Sequence, residues 1–304
     1  MKVRTVFAGA QAAGAALLWG TAGVASAFTR PTVSPLVLAW ARLSLGGLWL
    51  AVVVGPRRLA RAAGTLGDSG AALAAFSMAA FQESFFAAVK DLGAGPATMI
   101  SVAAAPAASL LGAWRSRQVS SATRPALAFA LVAVVVGLAV TPIRVSGLRG
   151  AGWAMASGAA YAGFAHAVES RNAHPKDGLA VVVIALLGGA LAMTPMAVPR
   201  IGQLFSLRNA LTGAYLGLAA TALAYAWFAA ALAVLGPRVV LAVCSGQPVA
   251  ATLLACQLLG GPIGWQMITA LAITGLSSAW LAISEPVRPH AAVLDETLPG
   301  GHDV

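Results

Sequence analysis

Ten apolar stretches constrain this chain more than any other feature. They fall at about 6–28, 35–55, 70–90, 95–114, 125–141, 148–168, 178–198, 209–231, 237–257 and 264–284. Each is near the roughly 20 residues that carry a helix across a bilayer, the fifth being the shortest. Charged residues make up only 9% of the chain, against roughly 25% in soluble domains. A soluble fold of this size would have too little polar surface to cover itself. The connections are short and hold Gly, Pro and Arg, as helix breakers should. The expectation is an all-α integral membrane protein with ten transmembrane helices. The polar tail at 285–304 is expected to be disordered.

The first run ends in Ala25-Ser26-Ala27, which resembles a signal-peptidase site. At about 22 residues it exceeds the roughly 7–15 of a signal-peptide apolar core, and it has a counterpart later in the chain. It is read as an uncleaved first helix. With the N-terminus inside, the inner segments hold Lys2, Arg4, Arg57, Arg58, Arg61, Arg115, Arg117, Arg124, Arg171, Lys176, Arg238 and Arg288. The outer segments hold Arg30, Lys90, Arg144, Arg149, Arg200 and Arg208. This bias puts both termini in the cytoplasm of a cell membrane, an inner membrane where there are two.

The net charge of +10 does not point to nucleic acid, because the basic residues sit in short loops and form no stripe interleaved with aromatics. Cys244 and Cys256 fall on one predicted helix, about 18 Å apart at 1.5 Å per residue, too far for a disulfide. No cluster with metal-ligand spacing and no nucleophile–base constellation is present, so neither a cofactor nor an enzyme is expected. His166 and Glu169 sit near the inner end of the sixth run, as a solvated boundary.

Two hairpins carry an internal similarity. Phe81 to Leu111 reads as a helix end, a Gly-Pro turn and a helix with a central proline, Pro106. Tyr225 to Leu254 repeats the design, with Gly236-Pro237 at the turn and Pro248 beyond it. Gly93 superposes on Gly236, Phe85 on Phe228, Gln82 on Tyr225, and Trp19-Gly20 on Tyr161-Ala162. The prolines match only after a one-residue shift. Five helices per half is an odd number, so the second half must insert upside down, as an inverted repeat. The boundaries are 1–144 for the first repeat and 145–284 for the second.

Several segments together resemble the EamA family of the drug/metabolite transporter superfamily. They are LLWGTAG at 17–23, SPLVLAWARL at 34–43, FFAAVKDLGAGPATMISVAAAP at 85–106, GAAYAGF at 158–164, ATALAYAWFAAALAVLGPRVVLAVCSGQP at 220–248 and LLGGPIGWQMITALAITGL at 258–276. The resemblance covers residues 8–284. It implies two inverted five-helix repeats with a solute cavity between them. The sequence departs from the family pattern at Gln247, where the family often has Glu, and at Gly260-Gly261-Pro262, where it often has Gly-Glu-Pro. The first-helix glutamate of the small multidrug resistance relatives is also missing, which argues against a cationic-drug antiporter.

Two sets of residues are candidates for solute binding. Arg42 and Glu83 each lie about seven residues, or about 10 Å, inside the same predicted face of the membrane. A charge there is costly and usually faces a cavity or a partner. The pair would recognise an anionic or zwitterionic solute or couple protons; the structural alternative is an ion pair, or Arg42 snorkelling to headgroups. Trp19, Trp40, Gln82, Tyr161, Tyr225 and Trp227 lie within helices rather than at their ends, and suit an apolar cavity for an amino-acid-like solute. The alternative for each is helix packing or lipid contact. Pro106 and Pro248 each remove a backbone hydrogen bond and would serve as hinges or as static kinks.

The function expected is secondary transport, the export of a small metabolite such as an amino acid by alternating access, with the solute and the lipid bilayer as partners. The competing class is a non-transporting membrane scaffold or assembly subunit with a degenerate cavity. The oligomeric state is left open, a homodimer included.

Overall fold

The computed structural model describes residues 2–29, 33–115, 145–169, 177–244 and 246–260, with isolated positions at 268, 272 and 276. Among these residues the chain is helical throughout and has no strand. The expected fifth helix and most of the expected tenth lie outside the described residues, as does the tail.

The helices are α1 (Lys2–Ala27), α2 (Pro35–Val54), α3 (Pro56–Leu92), α4 (Ala94–Arg115), α5 (Val145–Glu169), α6 (Gly178–Ala197), α7 (Leu207–Ala214), α8 (Ala224–Cys244) and α9 (Gln247–Leu259). A 3-10 turn, Val198–Leu204, extends α6. A π-helical segment, Tyr215–Leu223, joins α7 to α8 without a break. Among the described residues four spans are long and apolar enough to cross a membrane: Pro35–Val54, Pro56–Leu92, Gly178–Leu204 and Leu207–Gly236. The chain is therefore an all-helical membrane protein. α1 and α5 have the length with a composition richer in Gly, Ala and hydroxyl residues.

Local chemistry sets the helix ends. α2 starts at Ser34, whose hydroxyl accepts from the Val37 N–H, with Pro35 in the first turn where its missing N–H costs nothing. α3 is two helices in one. A short piece from Pro56 carries exposed Arg57, Arg58 and Arg61 and buries Ala62 and Leu66 against Ala180 and Val181 of α6. It breaks at Gly67 (φ 63°) before the membrane-spanning part begins. The turn from α3 into α4 uses Gly93 at φ 84° and ψ 168°. The matching Gly236 inside α8 has φ 74° and ψ 166°. Both are conformations that a side chain would strain.

Two expectations are corrected here. Cys244 and Cys256 do not share a helix: one ends α8 and the other lies in α9, and both are free thiols. Pro248 does not kink a continuous helix. It sits in the first turn of α9, behind Gly246, where the backbone N–H has no helical partner to lose. Pro106, by contrast, falls within the bounds of α4.

The helices of the two halves interlock. α3 packs on α5 and α6, α4 on α5, α1 on α8 and α9, α2 on α6 and on the π segment, and α4 on α9. With lipid outside, close packing rather than water exclusion holds such contacts together, so small residues set the approach. A Cβ on Gly20 of α1 would lie 3.0 Å from the Gln247 carbonyl of α9, and one on Gly158 of α5 would lie 2.6 Å from the Ser101 carbonyl of α4. An ion pair also ties the halves: Arg149 at the start of α5 holds both Asp91 oxygens at 2.7 Å.

Candidate functional site

Arg42 is the centre of the polar interior. It lies mid-way along α2 and is only 5% exposed. Its Nε donates to Thr221 Oγ1 at 2.7 Å, its Nη1 to Gln82 Oε1 at 3.1 Å and its Nη2 to the Ala220 carbonyl at 3.0 Å. One guanidinium thus joins α2, α3 and the π segment. Its Cζ stands 5.9 Å from the centroid of the Phe86 ring.

The π segment explains how Ala220 can serve. A π turn carries hydrogen bonds five residues apart instead of four. Where it returns to α-helix, the Ala224 N–H reaches the Ala219 and Thr221 carbonyls and passes over Ala220. The Ala220 carbonyl turns to Arg42. Thr221 completes the arrangement, since its hydroxyl donates to the Leu216 carbonyl at 2.8 Å while accepting from Arg42. Small residues let α2 come this close: a Cβ on Gly46 would lie 2.6 Å from Thr221 Cγ2, and one on Gly217 would lie 2.5 Å from Leu45 Cβ.

The expected Arg42–Glu83 pair does not form. Neighbouring residues on a helix point about 100° apart, and it is Gln82, fully buried, that faces Arg42. Glu83 is half-buried on the face of α3 that carries exposed Phe76 and Lys90, while Ala74, Met78, Phe85 and Val89 on the opposite face are buried. It makes no ion pair or hydrogen bond among the described residues, with Lys90 or otherwise. Arg42 is buried rather than on the lipid face, so it is not a snorkelling anchor.

The aromatic candidates divide into two groups. Trp19 of α1 packs edge-on against Tyr225 at 5.2 Å between centroids, and against Phe228, also at 5.2 Å. Tyr161 of α5 packs on Phe81 at 5.2 Å and Phe164 at 6.0 Å. Tyr225 lies one turn beyond Thr221, and its hydroxyl is within electrostatic reach of both Arg42 and Tyr161. Tyr161 keeps 37% of its surface accessible. Arg42, Gln82, Trp19, Tyr225 and Tyr161 are thus brought into one neighbourhood by α1, α2, α3, α5 and α8.

Trp40 and Trp227 face elsewhere. Trp40 is two residues, or about 200°, from Arg42 around α2, and its Nε1 donates to Thr194 Oγ1 of α6 at 3.0 Å. Trp227 packs on α1, where a Cβ on Gly14 would lie 2.5 Å from its ring.

Sequence reasoning missed Thr221, the Ala220 carbonyl, Phe86, and a link between Thr21 of α1 and the Tyr215 hydroxyl at 2.5 Å. Thr221 had one legible signal, its four-residue spacing from Tyr225. A backbone carbonyl freed by a π turn has none. No His, Cys, Asp or Glu cluster that could hold a metal occurs among the described residues.

Across 271 aligned residues the chain is 28% identical to the uncharacterized transporter YwfM of Bacillus subtilis (strain 168), covering 86% of this chain and 90% of that protein. A solved structure, described only as the crystal structure of a protein, has the same fold at a TM-score of 0.61, with 17% identity, over 91% of this chain and 96% of its own. No protein-family model matches the chain.

Proposed function

We propose that this chain is a secondary transporter of the EamA type, in which two inverted five-helix repeats carry a small organic solute, such as an amino acid, out of the cell by alternating access. The observation that carries this reading is the pattern of helix contacts. Exchanging α1 with α5, α2 with α6, α3 with the π–α8 unit and α4 with α9 carries α3–α5 onto α1–α8, α3–α6 onto α2–π and α4–α5 onto α1–α9, and returns α2–α6 and α4–α9 to themselves, while α2–α3 has only a slight counterpart. Transporters built from inverted repeats bind solute at the interface between the repeats, near mid-membrane. The neighbourhood of Trp19, Arg42, Gln82, Tyr161 and Tyr225 draws on both halves at such an interface. The name of the Bacillus subtilis relative supports the transporter part of this reading alone. Both termini lie in the cytoplasm, and an ion gradient or the solute's own gradient drives the cycle.

The test is a solute screen in vesicles holding the purified protein, with and without a pH gradient. Protein-dependent flux of at least one small organic solute is the expected result. Vesicles that pass no member of a broad amino-acid and organic-acid panel would favour the scaffold instead.

A further inference from the structure

The Arg42 guanidinium carries five N–H groups, and three are used, by Thr221, Gln82 and Ala220. Two remain, one on each terminal nitrogen, without an acceptor among the described residues. All three acceptors in use are neutral. The ion pairs among the described residues, Arg61 with Asp177 and Arg149 with Asp91, lie elsewhere, and Glu83 points away. A guanidinium stays charged under all ordinary conditions. Held inside a membrane with only neutral dipoles around it, such a charge is expensive, and in transporters it marks a solute or ion path.

The surroundings define what could supply the missing anion. Two N–H groups on separate terminal nitrogens match the two oxygens of a carboxylate, and charge-assisted pairs of this kind are the strongest hydrogen bonds a side chain makes. The Phe86 ring stands 5.9 Å from the guanidinium carbon, and Tyr225 lies one turn beyond its partner Thr221. Tyr225 leads on to Trp19 and Phe228 by ring contacts. The charged spot therefore has aromatic rings close by, and Tyr161 packs on Phe81, the residue before Gln82.

We infer that Arg42 is the carboxylate-binding group of the solute site, and that the solute is an organic acid or zwitterion whose apolar body lies against Trp19 and Tyr225. This inference rests on the transporter reading for the solute's passage, but not for its binding. The carboxylate takes the two unused N–H groups and supplies the charge that the described residues lack. A neutral or cationic solute cannot do so.

The experiment uses the full chain, purified in detergent and in vesicles. The probes are phenylacetate and L-phenylalanine, set against their amides, phenylacetamide and L-phenylalaninamide, which keep the body and lose the carboxylate. Binding is read as the rise in melting temperature with probe concentration. At least one acid is expected to bind about ten- to a hundredfold more tightly than its amide, the range of a charged hydrogen bond. Arg42→Gln removes that preference. Arg42→Lys keeps a charge without the fork and weakens acid binding while leaving the amide unchanged; it decides the matter if Arg42→Gln fails to fold. Equal binding of acid and amide, no binding of either acid, or an acid preference that survives in Arg42→Lys at full strength overturns the inference. The two readings separate in the vesicles. Flux of neutral solutes that Arg42→Gln leaves intact keeps the transporter and removes the carboxylate site. Arg42-dependent acid binding without any flux keeps the site and removes the transporter.

Discussion

Gln82 gives Arg42 an acceptor that lipid cannot replace. Gln82→Leu leaves one guanidinium N–H without a partner in a buried setting, and is expected to cost about 1–3 kcal/mol, seen as a lower midpoint in denaturant unfolding of the micellar protein. Glu83→Ala, on the half-exposed face, should stay within about 0.5 kcal/mol of the parent. Should Glu83→Ala prove as costly as Gln82→Leu, the assignment of these neighbours to opposite roles is wrong. A partner for Arg42 on the third helix was legible in the sequence. Which of two adjacent residues that partner is was not. Depth along a helix follows from counting residues, but azimuth depends on where the neighbouring helices stand, and at 100° per residue a small change in that placement swaps Gln82 for Glu83. The same limit put Trp40 among the cavity aromatics on paper, while in the structure it bonds Thr194 of α6 on the far side of α2 from Arg42.

At the scale of elements, the π segment is the least regular piece of the membrane region. π helices are rare and occur mostly as single turns at functional sites; this one runs for nine residues. Its return to α geometry leaves the Ala220 carbonyl dependent on Arg42. Hydrogen–deuterium exchange should therefore be faster at Tyr215–Leu223 than along α8, and Gly46→Ala should raise it further, because the new methyl displaces Thr221 from Arg42. A segment that exchanges as slowly as α8 in both proteins would mean that the widened turn is as firmly held as ordinary helix. Nothing in the residues YLGLAATAL distinguishes π from α, since both are apolar runs of good helix formers. Helix existence and the Gly93 and Gly236 turns were legible, because apolar length and glycine punctuation are local signals. Pro248 misled for the opposite reason: a proline reads as a kink or as a helix start depending on whether the helix before it has already ended, which only Gly246 hints at.

For the molecule as a whole, orientation remains to be measured. Reporter fusions after Arg61 and after Val304 should report cytoplasm, and a fusion near Arg144 the outside. An external C-terminus would remove the ten-helix scheme. The exposed Arg57, Arg58 and Arg61 sit on the short helix ahead of Gly67, off the membrane-spanning part of α3, where the inside surface should be. On the proposed duplication, the two halves are not equal in length where it matters. Between Tyr161 and Tyr225 the second half is one residue longer than the first is between Trp19 and Gln82. A helix absorbs an extra residue without a loop by widening a turn, and Tyr215–Leu223 lies inside that interval. The π segment is then where the extra residue is taken up. At the spacing of Trp19 and Tyr161, Arg42 falls on Ile184. In that scheme one half carries a cation where the other has Ile184, and the other half carries the widened turn whose Ala220 carbonyl this cation holds. Were the halves to exchange places as proposed, this unequal pair would give the protein a side that is not interchangeable, which is what a carrier needs if it is to release its cargo more readily on one face of the membrane than on the other.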